Sequence, residues 1–422
     1  MIKQDKSIDQ SLQIEKQEII NVVSQVIPET VGFDSCRLSR IHAHIGRCIH
    51  DQKIAGAASI VARDRQVVHF EVQGFADIEA GKLLEKNAIF RLASMTKPII
   101  GVAVLILMEK GRIRLDDPIS KFIPEYQNMK VAVSDIQADT TTLPPYTTVP
   151  ASREITIRDL LSHSSGLGQG VIGFAEMLKL MPKPGDTLAS HIPLWVAVPL
   201  DFQPGTQTGY SPLAAFNILG RIVEIASGLP LDQFLSRFVF QPLGMIDTTF
   251  APSDSQWQRV VIMYENTDQG LARSLDQKQL INTEYFSGAG GLLGTLEDYF
   301  RFVQMLANGG ELNGRQILSP RMVQLMRSVQ LPETIPGFPR GETWGLSVRV
   351  ISDGSASGAP LTTGSFGWSG AWGTHFWIDP QENLVALIMI NLANAGGAGA
   401  ETAREFEMAV MQSIVELRSK RC

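Results

Sequence analysis

The sequence predicts an α/β fold in which an antiparallel sheet is assembled from both ends of the chain, with a mostly helical region inserted between them. Strand-like segments occur at 57–63 and 66–76, ahead of an apolar helical segment. Strand character returns only after residue 344, whereas helical patterns dominate between 156 and 242. We therefore expect an N-terminal extension (1–34), a discontinuous α/β domain (35–125 and 275–422) and a mostly helical domain (126–274).

The individual elements are predicted from periodicity, in chain order. The extension has a mild amphipathic pattern that predicts a helix packing on the body or on a partner, and residues 37–52 predict a second helix. A short turn at 64–65 joins the first two strands. Residues 126–152 lack periodicity and predict an irregular excursion, and FNILGRIVEIASG predicts a helix closed by Gly228. The segments 344–350, 366–378 and 384–391 predict consecutive strands, followed by a terminal helix from about 399 to 417.

Composition narrows the class of protein. The 422 residues are 44% hydrophobic and 19% charged with a formal net charge of −6, which is ordinary for a globular enzyme. The sequence has no stripe of basic residues, so nucleic acid is not expected as a partner. Three cysteines are too sparse for a disulfide framework. The N-terminus has no apolar signal segment and no apolar run reaches the length of a membrane span, so we expect a cytoplasmic protein. The sequence does not predict its oligomeric state.

The strongest chemical signal is Ser94-Met95-Thr96-Lys97, at the start of the uncharged segment PIIGVAVLILM. Residues three apart share a helix face, so the Lys97 amine can reach the Ser94 hydroxyl. A serine needs an adjacent base to act as a nucleophile, and burial lowers the pKa of an amine toward the working pH. This pattern indicates a serine nucleophile with a lysine base.

Two later segments supply candidate partners. Tyr210 lies in a loop punctuated by proline and glycine, where a phenol near a lysine can relay a proton. The segment 367–371, GWSGA, offers small residues at which a substrate can pair along a strand edge. The backbone amides of Ser94 and Ala371 would then form an oxyanion hole.

SMTK, YSP and WSG in this order resemble the serine β-lactamase and penicillin-binding-protein superfamily. More specifically, the chain is similar to class C β-lactamase-related carboxylesterases, the family VIII esterases. Supporting stretches include ITIRDLLSHSSGL, FQPGTQTGYS, QPLGM and GAGGLLGTLEDYFRFVQMLANGG, and the resemblance spans roughly residues 36–392. It implies a β-lactamase/DD-peptidase-like fold, with Ser94 as nucleophile, Lys97 as base and Tyr210 as proton relay.

Two departures from the β-lactamases bear on the substrate. Pro212 replaces an asparagine in the second triplet, and Trp368 replaces a lysine in the third. A substrate carboxylate would be costly to bury without that cation, whereas an indole offers a broad apolar wall. We therefore expect esters with neutral or apolar acyl groups. Expected substrate-binding residues are Trp368, Ser369, Gly370, Pro212 and Asn391, the last because relatives often carry an asparagine near the pocket.

The sequence thus predicts a carboxylic-ester hydrolase acting through an acyl-enzyme, with no cofactor or metal. Transfer of the acyl group to an alcohol or amine is the main alternative, and β-lactamase or D-aminopeptidase activity is a weaker one. A catalytically silent binding protein on this fold is the non-enzyme alternative.

Other polar residues are predicted to be structural. His42 and His44 are two apart on a helix and point to different faces, so surface or packing roles are favoured over a metal site for them and for His50. His163 is interpreted as a structural residue, and His375 is a candidate for lining the cleft because it closely follows the WSG triplet. The glycines of GAGGLLG predict a tight turn rather than a phosphate site.

Overall fold

The computed structural model describes residues 24–134, 143–274, 284–332, 334–393, 395–397 and 400–418. The α-helices are α1 Ser35–Leu38, α2 Arg40–His50, α3 Thr96–Glu109, α4 Ile157–Leu161, α5 Val171–Leu178, α6 Leu188–His191, α7 Ala214–Ser227, α8 Leu231–Leu235, α9 Gln241–Leu243, α10 Asp254–Trp257, α11 Leu296–Ala307, α12 Pro320–Met326, α13 Gly354–Ser357 and α14 Glu401–Met411. The strands are β1 Gly56–Arg63, β2 Gln66–Asp77, β3 Lys82–Leu83, β4 Ile89–Arg91, β5 Lys130–Val133, β6 Thr147–Pro150, β7 Tyr264–Thr267, β8 Gly270–Arg273, β9 Leu293–Thr295, β10 Glu311–Leu312, β11 Arg315–Gln316, β12 Glu342–Trp344, β13 Arg349–Ile351, β14 Phe366–Gly370, β15 Thr374–Asp379 and β16 Leu384–Ile390.

The main sheet joins the two ends of the chain, as the strand pattern predicts. Its eight strands run in the order β12-β13-β14-β15-β16-β1-β2-β3, and each neighbouring pair is antiparallel. Strand β16 from the C-terminal part pairs along the length of β1, with Ala57 opposite Ile390 and Arg63 opposite Leu384. The expected domain boundaries stay a prediction.

Both faces of the central strands are buried, which explains why LVALIMI lacks polar alternation. On β16, Val385, Leu387 and Met389 pack into the larger core formed with α3, α7 and α11. Their neighbours Leu384, Ala386 and Ile388 pack into a second core with α2 and α14. The sheet therefore separates two helical layers, and each strand residue faces one layer or the other.

Two predicted strands are pairs of shorter strands. The segment 344–350 is divided between β12 and β13, and the turn between them carries Ser347 at φ +69°. The segment 366–378 is the hairpin of β14 and β15, whose turn places Gly373 at φ +84°. Residues 130–150 contribute the paired strands β5 and β6 instead of an entirely irregular excursion. Positive φ values mark turns that apolar periodicity does not reveal.

The bounds of the other predicted helices agree with the structure in the middle of the chain and differ from it near the two termini. Helix α7 ends at Gly228, which adopts the left-handed conformation expected of a helix-terminating glycine. The terminal helix is confined to α14. Most of the predicted N-terminal helix lies outside the described residues, and Pro28–Val31 within the extension form a 3₁₀ turn.

Helix α3 lies in the middle of the larger core and packs against α7. Its residues from Thr96 to Leu107 are buried, as expected of a helix that is apolar on all sides. Among the described residues no single helix has the length and apolar character of a membrane span, although the bent pair Ala214–Ser227 and Leu231–Leu243 meets those criteria together.

Candidate active site

Ser94 lies in the 3₁₀ turn Ala93–Met95 that runs into α3, and its side chain is half-buried. Ala93 adopts φ +47°, an uncommon conformation for a residue with a Cβ that costs on the order of 1–3 kcal/mol. The turn is fastened on both sides: Thr374 Oγ1 donates to Leu92 O at 3.0 Å, and Tyr299 Oη donates to Met95 O at 2.8 Å. The surrounding structure thus holds the strained turn at Ala93 in place and with it the adjacent Ser94.

Lys97 is fully buried in the first turn of α3, three residues after Ser94. It is helical although the proline that follows disfavours helical geometry at this position. Its Nζ lies 3.1 Å from Ser94 Oγ, 2.9 Å from Pro212 O and 2.6 Å from Ala289 O. Burial lowers the pKa of the Lys97 amine, and a hydrogen bond and charge interaction with Tyr210 only partly oppose this shift. A neutral amine can donate to the two carbonyls and keep its lone pair for the serine hydroxyl.

The carbonyl of Ala289 is itself held in place. Asn217, buried on α7, accepts hydrogen bonds through Oδ1 from Ala289 N at 3.1 Å and from Ser287 Oγ at 2.9 Å. Gly288 passes close to α7, because a Cβ there would lie 2.4 Å from Phe216 O. The glycine-rich segment is therefore a tight turn, as predicted, and it also presents a carbonyl to Lys97.

Tyr210 Oη donates to Ser94 Oγ at 2.6 Å, which places phenol, hydroxyl and amine in one cluster. His163 packs against the Tyr210 ring with 4.9 Å between ring centroids, and its Nδ1 accepts from Ser211 N at 3.1 Å. Burial and the neighbouring Lys97 hold the pKa of His163 well below its usual value. A neutral His163 can therefore position the tyrosine loop without competing for the serine proton.

Aromatic rings line one side of the cluster. Trp368 lies 5.1 Å from Tyr210 between ring centroids, and Trp344 lies 4.7 Å from Trp368. Trp344 also stacks near Tyr210, with 6.2 Å between centroids and an interplanar angle of 18°. All three side chains are half-buried. They form an apolar wall beside the serine.

The end of β14 abuts the turn that carries Ser94. A Cβ on Gly370 would lie only 2.4 Å from Leu92 O, so a glycine is needed for this close approach. Ala371, which follows directly, is exposed. The structure therefore brings Trp368, Gly370 and Ala371 to the cluster, together with the carbonyl of Pro212.

Three predicted residues are placed elsewhere. The Ser369 side chain points to the opposite face of the sheet, because strand residues alternate, and its Oγ bonds His375 Nδ1 at 2.7 Å. The Ser369 side chain is thus turned away from the cluster, and substrate pairing along the backbone of this strand stays a prediction. His375 contacts Glu407 on α14 rather than lining the cleft. The Asn391 amide donates to Ile262 O at 3.0 Å and to Phe75 O at 3.4 Å, so it joins backbone segments.

Sequence reasoning missed His163, Trp344 and the Ala289 carbonyl as neighbours of the cluster. The contact between His163 and Tyr210 could not be predicted from local spacing, because 47 positions separate the two residues in the sequence. Among the described residues, the group of His, Cys and Glu side chains with metal-ligand spacing lies away from Ser94, on α2 and α14.

Comparisons with known proteins show related sequences and structures over most of the chain. The sequence pattern of the Beta-lactamase family matches residues 41–407. An uncharacterised Mycobacterium tuberculosis protein is 34% identical over 80% of this chain and 86% of its own length. Esterase EstB of Burkholderia gladioli is 28% identical over 89% of this chain and 96% of its own. The solved structure of EstCE1, a hydrolase with promiscuous acyltransferase activity, has a TM-score of 0.74 and 25% identity, covering 89% of this chain and 99% of that one. The expected fold class is confirmed.

Proposed function

The chain belongs to the Beta-lactamase family, and from this premise we propose that it is a serine esterase acting through a covalent acyl-enzyme at Ser94. The observation that carries the proposal is the contact of Ser94 Oγ with both a buried amine and a phenol, at 3.1 and 2.6 Å. These distances allow proton transfer in either direction without a bridging water.

Acylation begins with Lys97 as the base. The Ser94 O–H bond breaks, its proton moves to the Lys97 lone pair, and Oγ bonds the ester carbonyl carbon. The carbonyl electrons move to the oxygen, where the amides of Ser94 and Ala371 donate to the developing charge. The two carbonyls that accept from Lys97 stabilise the ammonium formed in this step.

Collapse of the tetrahedral intermediate expels the alkoxide. The alkoxide takes the Tyr210 hydroxyl proton, and the Lys97 ammonium returns its proton to the phenolate. Deacylation repeats the sequence with water as the nucleophile and Ser94 as the leaving group. Tyr210 and Lys97 thus act as one relay, which matches their shared contact with Ser94 Oγ.

The aromatic wall supports a neutral or apolar acyl group. Trp344 and Trp368 offer apolar ring faces beside the nucleophile. A carboxylate placed there would lose its hydration without gaining a cation from position 368. The relationship to Esterase EstB at 28% identity supports an ester substrate in the same way.

The test is covalent capture of the nucleophile. A fluorophosphonate should add one label to the wild-type chain by intact mass, and p-nitrophenyl esters of increasing acyl length should turn over. The Ser94→Ala variant should lose both signals while its circular dichroism spectrum stays unchanged. Labelling that persists in this variant would remove Ser94 from the mechanism.

Acyl transfer to an alcohol is the second candidate, favoured by the 25% identity to EstCE1, a hydrolase with promiscuous acyltransferase activity. The same acyl-enzyme serves both reactions, and the access of water to the cleft decides between them. Product analysis with an added alcohol separates transfer from hydrolysis. Turnover of nitrocefin would instead indicate β-lactamase activity.

A further inference from the structure

A second cluster of reactive side chains lies behind the sheet, between α2 and α14. His44 and Cys48 are one turn apart on α2 and share a face of that helix. Glu405 reaches them from α14. The sequence-based expectation of no metal rested on His42 and His44 pointing apart, whereas His44 instead meets a cysteine and a carboxylate from a distant helix.

Two of the three donor-atom separations are close to the edges of a coordination tetrahedron. His44 Nε2 lies 3.6 Å from Cys48 Sγ and 3.0 Å from Glu405 Oε2, and all three atoms lie within 4.8 Å of one another. Zinc bonds of about 2.3 Å to sulfur and about 2.0–2.1 Å to nitrogen and oxygen place ligands about 3.3–3.6 Å apart. Closure onto an ion therefore needs a small shift between His44 and Glu405, and it must also bring the Cys48 and Glu405 donor atoms together from a separation of at most 4.8 Å.

We propose that His44, Cys48 and Glu405 bind a divalent zinc-type cation. Thiolate, imidazole and carboxylate are the ligands that Zn²⁺ takes in proteins, whereas Mg²⁺ and Ca²⁺ prefer oxygen alone. Three protein ligands leave a fourth position for water. Cys48 is buried and the His44 side chain is 12% exposed, while Glu405 is 47% exposed. The ion thus enters from the carboxylate side and reaches a sulfur shielded from solvent.

Charged groups surround the proposed ligands. Apart from the ligand Glu405, the charges near His44 are those of Arg47, Lys53 and Glu401. A thiolate and a carboxylate neutralise the two charges of the ion. A cysteine binds the ion as a thiolate, so its thiol must lose its proton. Metal binding then releases about one proton, from the thiol.

The bound ion would fasten α2 to α14. These helices cover the same face of the sheet, and α14 also carries Glu407, which contacts the buried His375. The proposed ion is therefore a structural clamp on the layer opposite the catalytic cluster, independent of the esterase reaction.

Metal titration of the purified, tag-free, reduced full-length protein tests the site. Calorimetry with ZnCl₂ should give one equivalent, and buffers of different ionisation enthalpy should report release of about one proton. CoCl₂ should produce thiolate-to-cobalt charge transfer and tetrahedral d–d bands. MgCl₂ should produce no heat. Saturating Zn²⁺ should raise the Tm by a few degrees.

Ligand variants distinguish this site from adventitious binding. Zn²⁺ binding should weaken in each of the variants Cys48→Ser, His44→Gln and Glu405→Gln. Each loss of affinity should exceed the about 10–100-fold that removal of an outer-shell partner costs. Cys36→Ser, the matched change at the exposed cysteine, should bind as the wild type does. Esterase activity without added metal reports folding of every variant. Absence of stoichiometric binding, or unchanged binding in Cys48→Ser, would overturn the proposal.

Discussion

Ser94 and Ser369 each form a hydrogen bond with a basic side chain, but the two hydroxyls lie on opposite faces of the main sheet at β14. Ser94 Oγ contacts an amine and a phenol beside a half-buried aromatic wall. Ser369 Oγ contacts His375, whose Nε2 lies 3.0 Å from Glu407 Oε1. By connectivity, the second arrangement is the one found in serine hydrolase triads.

Access decides between the two serines. Ser369, His375 and Glu407 are each no more than 3% exposed, so an ester has no route to that hydroxyl. Ser94 is half-buried next to the exposed Ala371. A serine bonded to a base is thus insufficient for catalysis, because the reacting carbonyl must also reach the nucleophile. We expect the first cluster to govern activity and the second to govern stability.

Removal of the buried amine should break the active cluster most severely. The Lys97→Met variant should lower kcat/KM by about 10³-fold or more, in line with loss of a general base. Because the pKa of Lys97 is lowered in the folded state, the unfolded chain binds more protons between that pKa and the ordinary value of 10.5. The lysine therefore destabilises the protein below that value, and the penalty disappears as pH rises through the window.

The Lys97→Met variant should accordingly melt at the same or a higher temperature at neutral pH, while its activity is lost. Calorimetry and ester kinetics on one preparation measure both effects. Lys121→Met, at an exposed lysine, is the control and should change neither quantity. An inactive variant that is also strongly destabilised would mean that the amine is structural.

Tyr210→Phe should have the next largest effect, about 10²-fold in kcat for alkyl esters. The loss should be smaller for p-nitrophenyl esters, because their leaving group departs without a proton. Parallel kinetics on the two ester classes measure this difference, with Tyr146→Phe as a control outside the cluster. An equal loss for both classes would contradict a relay to the leaving group.

Removal of the buried Glu407 carboxylate, behind the sheet, should lower the stability of the protein. Glu407 accepts from His375 and lies 3.2 Å from Arg349 Nη2, so Glu407→Ala leaves both partners buried without that carboxylate. We expect the free energy of unfolding to fall by about 3 kcal/mol. Denaturant unfolding measures this loss, and Glu401→Ala, at an exposed position on the same helix, should change it little. Fluorophosphonate labelling of Ser94 should persist in both variants.

The same carboxylate has a defined pH dependence. Burial raises its pKa, but the hydrogen bond and charge of His375, together with Arg349, leave the pKa of Glu407 lowered. Its stabilisation is therefore present above the ordinary value of 4.5 and is lost as pH falls below it. The stability difference between wild type and Glu407→Ala should stay nearly constant from neutral pH down to about pH 5 and shrink as the pH falls below 4.5. A constant difference would show that the charge does not contribute.

Ser369→Ala should have the smallest effect. Loss of one hydrogen bond to His375 should cost about 1 kcal/mol of stability and leave kcat/KM within a few-fold of wild type. The comparison with Ser94→Ala is direct, since both changes remove one hydroxyl. Ester kinetics and thermal melts measure them side by side. A large loss of activity in Ser369→Ala with a normal melt would show that the rear layer positions β14.

How far the sequence could predict the site is clear from particular residues. The Ser94–Lys97 contact was predictable, because helical spacing alone brings positions three apart together. The face of Ser369 was also predictable, since alternation along a strand puts its side chain opposite that of Trp368. The split of 344–350 into two strands depended on Ser347 at φ +69°, which no periodicity shows.

The sequence by itself determined the local chemistry: a serine and a lysine one turn apart, a helix with no charged face, and strands buried on both sides. Only the tertiary structure decided which distant groups complete each cluster. Tyr210 and the Pro212 and Ala289 carbonyls reach Lys97 and Ser94 from more than a hundred positions away, and Glu405 on α14 meets His44 on α2. Backbone geometry fixes neighbours within a turn, whereas these approaches depend on how the sheet and its two helical layers pack.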